Sequence, residues 1–356
     1  MTTPWLCWRE DVTQALDYQT TSRDYRQIDR AIGAATDTIT NLLHRPDIYP
    51  TRDTRYFPWP HPDYGRSYIL WLDANELVSV TTLVAGGVTI PSTDYYLEPQ
   101  QYGPPYNRIE INLGTSSAFG GGNTWQRNIA VTADYGLTNA TTLAGTLTSA
   151  VSSTSATTLA VSDGSTVGVG AVLLIDSERL LVTDRAWAST ADTATLTAVN
   201  NAVTITGLSG TYHPGEVLLI DSERVLVTDQ SGSTVTVKRA WDGTTLAAHT
   251  AATINVSRTL TVTRGALGST AATHTSSTPV YVYDVPGVIR SLAVAEAVLQ
   301  VQREQAGYTV THRGKTLGAS GDSSGSGGGQ ISVAAIDDMR AAAYSVFGRK
   351  SRTRTV

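Results

Sequence analysis

The feature that constrains this chain most is an internal repeat within a threonine-rich region. Val172–Asp184 reads VLLIDSERLLVTD, and Val217–Asp229 reads VLLIDSERVLVTD, at an offset of 45 residues. Between Leu137 and Tyr283, 31 of 147 residues are threonine, and neither a helical period nor a helix cap is present. Short runs of β-branched and apolar residues are typical of strands. We therefore predict an all-β region at 137–283.

A second repeat follows the first. Val237–Thr250 reads VKRAWDGTTLAAHT, and Val262–Thr275 reads VTRGALGSTAATHT, at an offset of 25 residues. We call the two IDSE-containing segments heads and these two segments tails. Along the chain the order is head, head, tail, tail.

This order fits two arrangements of the β-region. In the nested arrangement, a module at 194–257 lies inside another module formed by 157–184 and 258–283. In the tandem arrangement, Arg185–Ala186–Trp187 is the remnant of a first tail. The repeats alone leave both arrangements open.

In the segments before the β-region, the spacing of apolar residues changes once, from a helical period to a period of two. Apolar residues recur at helical spacing over 22–45, and Pro46 ends that helix. They are Ile28, Ile32, Ala35, Ile39 and Leu42. A shorter helix is predicted over 9–18, and from Tyr68 to Gly136 the period becomes two, which predicts strands. Helices followed by strands indicate an α+β domain.

The helical period returns after the β-region. A helix is predicted over 286–307, with Val288, Leu292, Ala295 and Leu299 on its apolar face. Ten of the twelve residues at 318–329 are Gly or Ser, which predicts a flexible linker. A last helix is predicted over 332–347, and the chain ends in the basic sequence RKSRTRTV.

Charge and composition exclude several classes of protein. Residues 1–136 hold 10 basic and 15 acidic side chains, whereas residues 284–356 hold 9 and 6. An acidic body argues against a conventional nucleic-acid-binding surface. No apolar run approaches the roughly 20 residues of a membrane helix, and the first residues lack the apolar stretch of a signal peptide. The single cysteine, Cys7, excludes an intramolecular disulfide framework.

Two carboxylate pairs are the strongest candidates for chemistry. Asp176 with Glu178, and Asp221 with Glu223, stand at i and i+2, a spacing that would place both groups on one face of a strand. That arrangement fits an acid/base pair or a calcium site. However, an arginine follows each pair directly, so we favour a solvated or hydrogen-bonded turn over a metal site.

No other motif predicts catalysis. His249 and His274 recur at equivalent repeat positions but are isolated from further ligands, so we expect them to cap turns. Gly314–Lys315–Thr316 lacks the glycine at 309 that a phosphate-binding loop needs. The Gly-Ser-Gly-Gly-Gly sequence at 325–329 lies in the linker rather than at a strand-to-helix turn. We predict no enzymatic activity, no cofactor and no metal.

Several segments resemble the head-to-tail adaptor, or head-completion, proteins of long-tailed bacteriophages. They are LLHRPD, RYFPWPHPDYG, NRIEINL, IAVTADYG and DVPGVIRSLAVAEAVLQVQRE. The resemblance implies an α+β fold, a helical adaptor core with a small antiparallel β-sheet, formed by 1–136 and 284–317. Residues 137–283 would be an insertion of two related, possibly nested, β-modules. After the linker, 330–356 would form a flexible C-terminal helical arm with a basic tail.

The same resemblance implies a structural virion protein. Family members form a ring, usually of twelve subunits, between the portal and a stopper or tail-completion protein, and DNA passes through without sequence-specific binding. The location would be the neck of the virion, and the host cytoplasm during assembly. Acidic residues facing such a channel would repel phosphates. The alternatives are a β-rich adhesin or carbohydrate-binding protein, and a hydrolase with an unrecognised site.

The C-terminal arm supplies the predicted contacts with the portal. Its helix is amphipathic, and an isolated helix of this length is marginal in water, so its apolar stripe needs a partner surface. The basic end would meet acidic portal residues or nearby DNA. The candidates are Ile336, Met339, Ala343, Val346, Phe347, Arg349, Lys350, Arg352 and Arg354.

Overall fold

The computed structural model describes residues 4–17, 22–60, 66–305 and 333–349. Within them lie four α-helices: α1 (Arg9–Leu16), α2 (Ser22–Leu43), α3 (Gly287–Gln305) and α4 (Val333–Phe347). Contacts between Cα atoms divide the chain into two compact units. The first comprises Met1–Ile39, Thr141–Ala266 and Thr270–Phe347, and the second comprises Thr40–Ala140, Leu267–Ser269 and Gly348–Val356. The predicted linker at 318–329 lies outside the described residues.

The helix predicted over 22–45 is confirmed as α2, with one change in its apolar stripe. Ile28, Ile32, Ala35 and Ile39 are buried. The next fully buried residue is Leu43 and not Leu42, because a step of four residues from Ile39 returns to the same face. The helix ends where His44 adopts a positive φ of 53°.

The helix predicted over 286–307 is confirmed as α3, but its apolar surface is wider than one stripe. Val288 is exposed, whereas Ile289, Ala293 and Val298 are buried together with the predicted Leu292. The helix contacts both α1 and α4. Two helical neighbours therefore explain why burial extends around α3.

Seven strands of the second unit form two antiparallel sheets. They are β1 (Thr51–Phe57), β2 (Ile69–Trp71), β3 (Leu77–Ala85), β4 (Val88–Ile90), β5 (Tyr95–Glu98), β6 (Arg108–Ile111) and β7 (Ile129–Tyr135). One sheet has the order β1-β7-β3-β4 and the other has the order β2-β6-β5. Alternate residues of these strands share one hydrophobic cluster, which includes Leu77, Leu83, Ile109 and Val131.

The predicted fold class, a helical adaptor core with a small antiparallel sheet, is wrong. Strand residues outnumber helical residues, and the sheets are large and antiparallel. The cluster of the second unit contains residues from Phe57 to Tyr135 and none from a helix. Because the period-two segments bury their apolar faces against one another, they make a core without helical support.

Ten further strands belong to the first unit and form one antiparallel sheet. They are β8 (Thr141–Thr146), β9 (Thr158–Ala160), β10 (Val172–Ile175), β11 (Glu178–Leu196), β12 (Thr204–Ile205), β13 (Val217–Ile220), β14 (Glu223–Ser231), β15 (Thr234–Lys238), β16 (His249–Thr263) and β17 (Pro279–Tyr283). The order is β12-β15-β14-β13-β16-β11-β10-β17-β8, with β9 paired to β16.

Two hydrophobic clusters divide this sheet into modules. One cluster joins residues from Ala144 to Val182 with residues from Leu260 to Val282, and the other runs from Ala194 to Val256. We call 141–186 with 258–283 the outer module and 187–257 the inner module. Along the chain the inner cluster lies between the two parts of the outer cluster. The long strands β11 and β16 pair with each other through both modules, from Leu181–Thr263 to Leu196–His249.

Three consecutive residues of α1 bind three different parts of the first unit. Arg9 donates Nε to Asp29 of α2 at 2.8 Å. Glu10 accepts from the backbone N–H of Val169, in the outer module, at 2.8 Å. Asp11 accepts from Arg290 of α3 at 2.9 Å. The start of α1 therefore connects the helices to the outer module.

This grouping differs from the predicted domain division. The sequence analysis placed 1–136 and 284–317 in one core and 137–283 outside it. In the described residues, α1 and most of α2 group with the β-modules and α3, whereas β1–β7 form the second unit. The adaptor division itself stays a prediction.

Candidate functional site

Each head folds as a β-hairpin with a two-residue turn. In the outer module Ile175 pairs with Glu178, and in the inner module Ile220 pairs with Glu223. Asp176 opens its turn with a positive φ of 53°, a conformation that Asp tolerates better than most residues. Directly paired residues point to the same face of a sheet. The glutamate therefore follows its isoleucine into the core and is fully buried.

In the outer module, the carboxylate of Glu178 accepts hydrogen bonds from one tail. Arg264 donates Nε at 2.8 Å and Nη2 at 2.7 Å. The backbone N–H groups of Gly265 and Ala272 donate at 3.0 and 2.9 Å. His274 Nε2 lies 2.9 Å from the same carboxylate. Both carboxylate oxygens are therefore occupied by internal partners.

The inner module repeats this arrangement with its own residues. Glu223 accepts from Arg239 Nε and Nη2, both at 2.8 Å. The backbone N–H groups of Ala240 and Ala247 donate at 2.9 and 3.0 Å, and His249 Nε2 lies at 2.9 Å. The duplicated sequence therefore preserves a complete set of contacts.

The aspartate of each head binds the other side of the histidine ring. Asp176 Oδ2 lies 2.8 Å from His274 Nδ1, and Asp221 Oδ2 lies 2.8 Å from His249 Nδ1. The aspartates stand in exposed turns rather than on a strand, so they do not share a face with the buried glutamates. The expectation that Asp176 and Glu178 lie on one face of a strand is therefore wrong, because their carboxylates lie at opposite nitrogens of the His274 ring.

We name these two sets by their module. The outer network is Asp176, Glu178, Arg264 and His274, and the inner network is Asp221, Glu223, Arg239 and His249. The first head thus closes on the last tail, and the second head closes on the first tail. Arg185–Trp187, the remnant tail of the tandem arrangement, lies within β11, where Arg185 pairs with Leu260.

Electrostatics keep the buried glutamates ionised. Burial raises the pKa of the Glu178 carboxyl, but the hydrogen bonds from Arg264, two backbone N–H groups and His274 outweigh burial. The pKa is about 2, compared with an ordinary value of 4.5. Burial and the equivalent hydrogen bonds act in the same opposed way on Glu223, whose pKa is also about 2. Each glutamate therefore carries its charge in the core at neutral pH.

These networks are built to hold loops rather than to perform chemistry. Each glutamate has its oxygens filled by donors, so neither offers a position to a substrate or an ion. Within the residues that the structure describes, no group of three or more His, Cys, Asp or Glu side chains could hold a metal ion. The geometry supports the interpretation of the heads as hydrogen-bonded turns.

The arginines that complete the networks were not predicted from the sequence. Arg179 and Arg224 follow the carboxylates directly, but Arg179 Nε donates to Tyr283 at 3.3 Å, and Arg224 binds Asp242 and Tyr25. The partners of the glutamates are Arg239 and Arg264. The sequence contains a signal for these two arginines, because they recur at the same 25-residue offset as the two histidines.

A further polar contact joins the two modules. Glu216 of the inner module is buried and accepts from Arg258 Nε and Nη2 of the outer module at 2.6 and 2.7 Å. Arg185 Nη2 donates to the carbonyls of Gly164 and Ser257 at 2.8 and 2.6 Å. Glu216 and Arg258 lie outside the repeated segments, so no repeat signal could have identified their contact.

The structure separates the predicted portal-contact residues into buried and exposed sets. Ile336 and Ala343 of α4 are buried, whereas Val346 is 65% exposed. Met339, Phe347 and Arg349 are half-buried. Lys350, Arg352 and Arg354 lie outside the described residues, as do Gly314–Thr316.

Contacts within the first unit hold α4 in place. The helix contacts α3, and Arg340 Nε donates to Glu296 of α3 at 2.6 Å. The buried Ile336 and Ala343 belong to this seated helix. They would reach a portal only after α4 leaves α3, whereas Val346 is accessible without that step.

Comparison with known proteins does not identify a relative: no family model, curated protein or solved structure matches the chain. No described helix is both long and apolar enough to cross a membrane.

Proposed function

We propose that this chain is a structural protein of a bacteriophage virion and a subunit of the ring that joins the portal to the tail-side connector. The observation that carries the proposal is that the region at 137–283 forms two hydrophobic clusters of its own. Their buried residues lie between Ala144 and Val282, and Trp8, next to α1, packs against the outer cluster. A region with its own cores can stand as an insertion between β7 and α3, the two parts that carry the adaptor-like motifs.

The polar networks support a structural role for the inserted modules. Their strongest candidates for chemistry, Glu178 and Glu223, are saturated by internal donors. A buried carboxylate with no open position serves to fix a loop. The modules therefore suit a rigid part of an assembly.

Electron microscopy of the purified chain, with and without portal protein, tests the ring. We expect rings of about twelve subunits that stack on one face of the portal; the number comes from the family resemblance. Monomers that leave the portal unchanged at micromolar concentration would contradict the proposal.

A point variant tests the arm. Val346→Asp places a charge on the exposed end of α4, so we expect at least a tenfold loss of portal affinity and an unchanged melting temperature. Val199→Asp is the matched control, because Val199 is 49% exposed but lies in the inner module. Binding of the intact chain should weaken with salt because the end of the chain is basic.

The alternative, a carbohydrate-binding protein, rests on exposed aromatic residues of the modules. Trp187 is 38% exposed and Tyr281 is 37% exposed. A glycan array probed with the intact chain tests it, and binding that Trp187→Ala abolishes would favour this alternative over the ring.

A further inference from the structure

The surface of α3 on which α4 packs, which we call the seat, is small. Among the residues of α4 whose burial is described, Ile336 and Ala343 are the buried ones. One ion pair, Arg340 to Glu296 at 2.6 Å, joins the middle of α4 to the middle of α3. α3 has apolar residues on most of its surface, and α4 covers part of it. This face of α3 therefore needs a helix against it, and its contacts do not specify which copy of the chain supplies that helix, because every copy offers the same residues.

The connection between the two helices is much longer than this seat requires. From Glu296 to the end of α3 is about 14 Å, and from the start of α4 to Arg340 is about 11 Å, at 1.5 Å per residue. Packed helices lie about 10 Å apart, so the two ends are separated by at most about 27 Å in either helix direction. About nine extended residues span that distance. The sequence places 27 residues, 306–332, between Gln305 and Val333.

The excess length matches a reach to a neighbouring subunit. Twenty-seven residues reach at most about 90 Å when fully extended. Helices that return to their own neighbour in a bundle normally need about 2–8 connecting residues. Exchange between identical chains preserves every contact of the seat, since the neighbouring copy offers the same surface.

We infer that in the assembled ring α4 of one subunit packs on α3 of the next subunit, where the Glu296–Arg340 ion pair then joins two chains. The occupant of the seat is a second copy of this chain. The inference rests on the proposed ring for its neighbouring subunit. An exchanged helix ties adjacent subunits through the connection at 306–332.

Charge reversal at the ion pair distinguishes exchange from packing within one chain. Glu296→Arg places two guanidinium groups against each other, and Arg340→Glu places two carboxylates against each other. The double variant Glu296→Arg with Arg340→Glu restores an opposite pair inside one chain. A mixture of the two single variants restores opposite pairs only between chains.

The measurement is ring stability, followed by native mass spectrometry during dilution of the full-length chains. We expect each single variant to lose its ring at a concentration at least tenfold higher than the wild-type chain. We expect the double variant and the equimolar, co-refolded mixture both to return within about twofold of wild type. The mixed rings should contain the two variants in equal numbers.

Two kinds of result would overturn the inference, and only one of them would also contradict the proposed ring. If the double variant recovers and the mixture does not, or if the single variants keep full ring stability, α4 does not pair between chains and the ring proposal is unaffected. If the wild-type chain forms no oligomer, the ring and the exchange are both wrong.

Discussion

Glu178 and Glu223 are buried, ionised side chains, and each gathers the backbone of an irregular tail around one carboxylate. A charge in a low-dielectric core is tolerated only when its hydrogen-bonding capacity is filled. Arg264 and Arg239 supply the countercharge, and their side chains are 6% and 2% exposed. Removing the glutamate of a pair therefore leaves its arginine without a countercharge, and removing the arginine leaves the glutamate without one.

Neutralising Glu223, the buried carboxylate of the inner network, should cause a large loss of stability. Glu223→Gln should lower the free energy of unfolding by about 3–5 kcal/mol at pH 7, because Arg239 loses its buried countercharge. Urea unfolding followed by circular dichroism checks this value. Asp229→Asn is the control, since Asp229 is exposed on the same strand and should change stability by less than about 0.5 kcal/mol. An effect of equal size at both positions would contradict the assigned role of Glu223.

The lowered pKa values predict how stability depends on pH. A carboxyl whose folded pKa lies below its unfolded pKa stabilises the fold fully above the unfolded value and loses that contribution as pH falls. For Glu178 and Glu223 the window runs from about pH 4.5 down to about pH 2. The stability difference between wild type and Glu223→Gln should therefore shrink as the pH falls below about 4.5. Urea unfolding of both proteins at pH 7, 5, 4 and 3 measures this difference. A difference that grows on acidification would contradict the lowered pKa values.

At the scale of elements, the two tails use the same turn with different residues. After the buried arginine, Gly265 has a positive φ of 59°, and Ala240 has a positive φ of 52° at the equivalent position. Glycine adopts this left-handed conformation without strain, whereas a residue with a Cβ atom pays about 1–2 kcal/mol. At this one position the inner tail is therefore the more strained copy.

Ala240→Gly should stabilise the chain. Relief of the left-handed strain is partly offset by the greater freedom of glycine in the unfolded chain, so we expect a gain of about 0.5–1 kcal/mol. The reciprocal variant Gly265→Ala should lose a similar amount. Thermal unfolding of both variants checks the pair, and a loss of stability in Ala240→Gly would refute the strain argument.

At the scale of the whole molecule, nesting makes the inner module removable. Ala186 and Thr259 are directly paired on β11 and β16, at the point where both strands enter the inner module. The outer cluster contains no residue between Val182 and Leu260. The core of the outer module therefore does not depend on the inner module.

Replacing the inner module together with Arg258, residues 187–258, by an Asn-Gly turn between the paired Ala186 and Thr259 should leave a folded chain. Asn-Gly favours the two-residue turn that connects a pair of antiparallel strands. We expect a soluble protein with cooperative unfolding, and hydrogen exchange should show the backbone of β10 and β17 as protected as in the full chain. Loss of that protection would mean that the inner module is part of the outer core.

Local patterns in the sequence determined the helices, the β-character of 137–283 and the equivalence of the repeats. Helical and strand periods are properties of neighbouring residues, so the stripe from Ile28 to Ile39 and the alternation after Tyr68 could be read directly. The two heads and two tails were also visible, since equal sequence implies equal local structure. The same patterns could not exclude a helical core. The period of a segment identifies its apolar face, but it does not identify the element that packs against that face.

Only the tertiary structure decided which of these segments meet. Glu178 finds Arg264 at a separation of 86 residues, whereas Glu223 finds Arg239 at a separation of 16. The nearly identical heads and the similar tails carry no information on their pairing, which depends on the course of β11 and β16 through both modules. The seat of Ile336 and Ala343 has the same physical origin, because burial is a property of the surface that a stripe meets and not of the stripe.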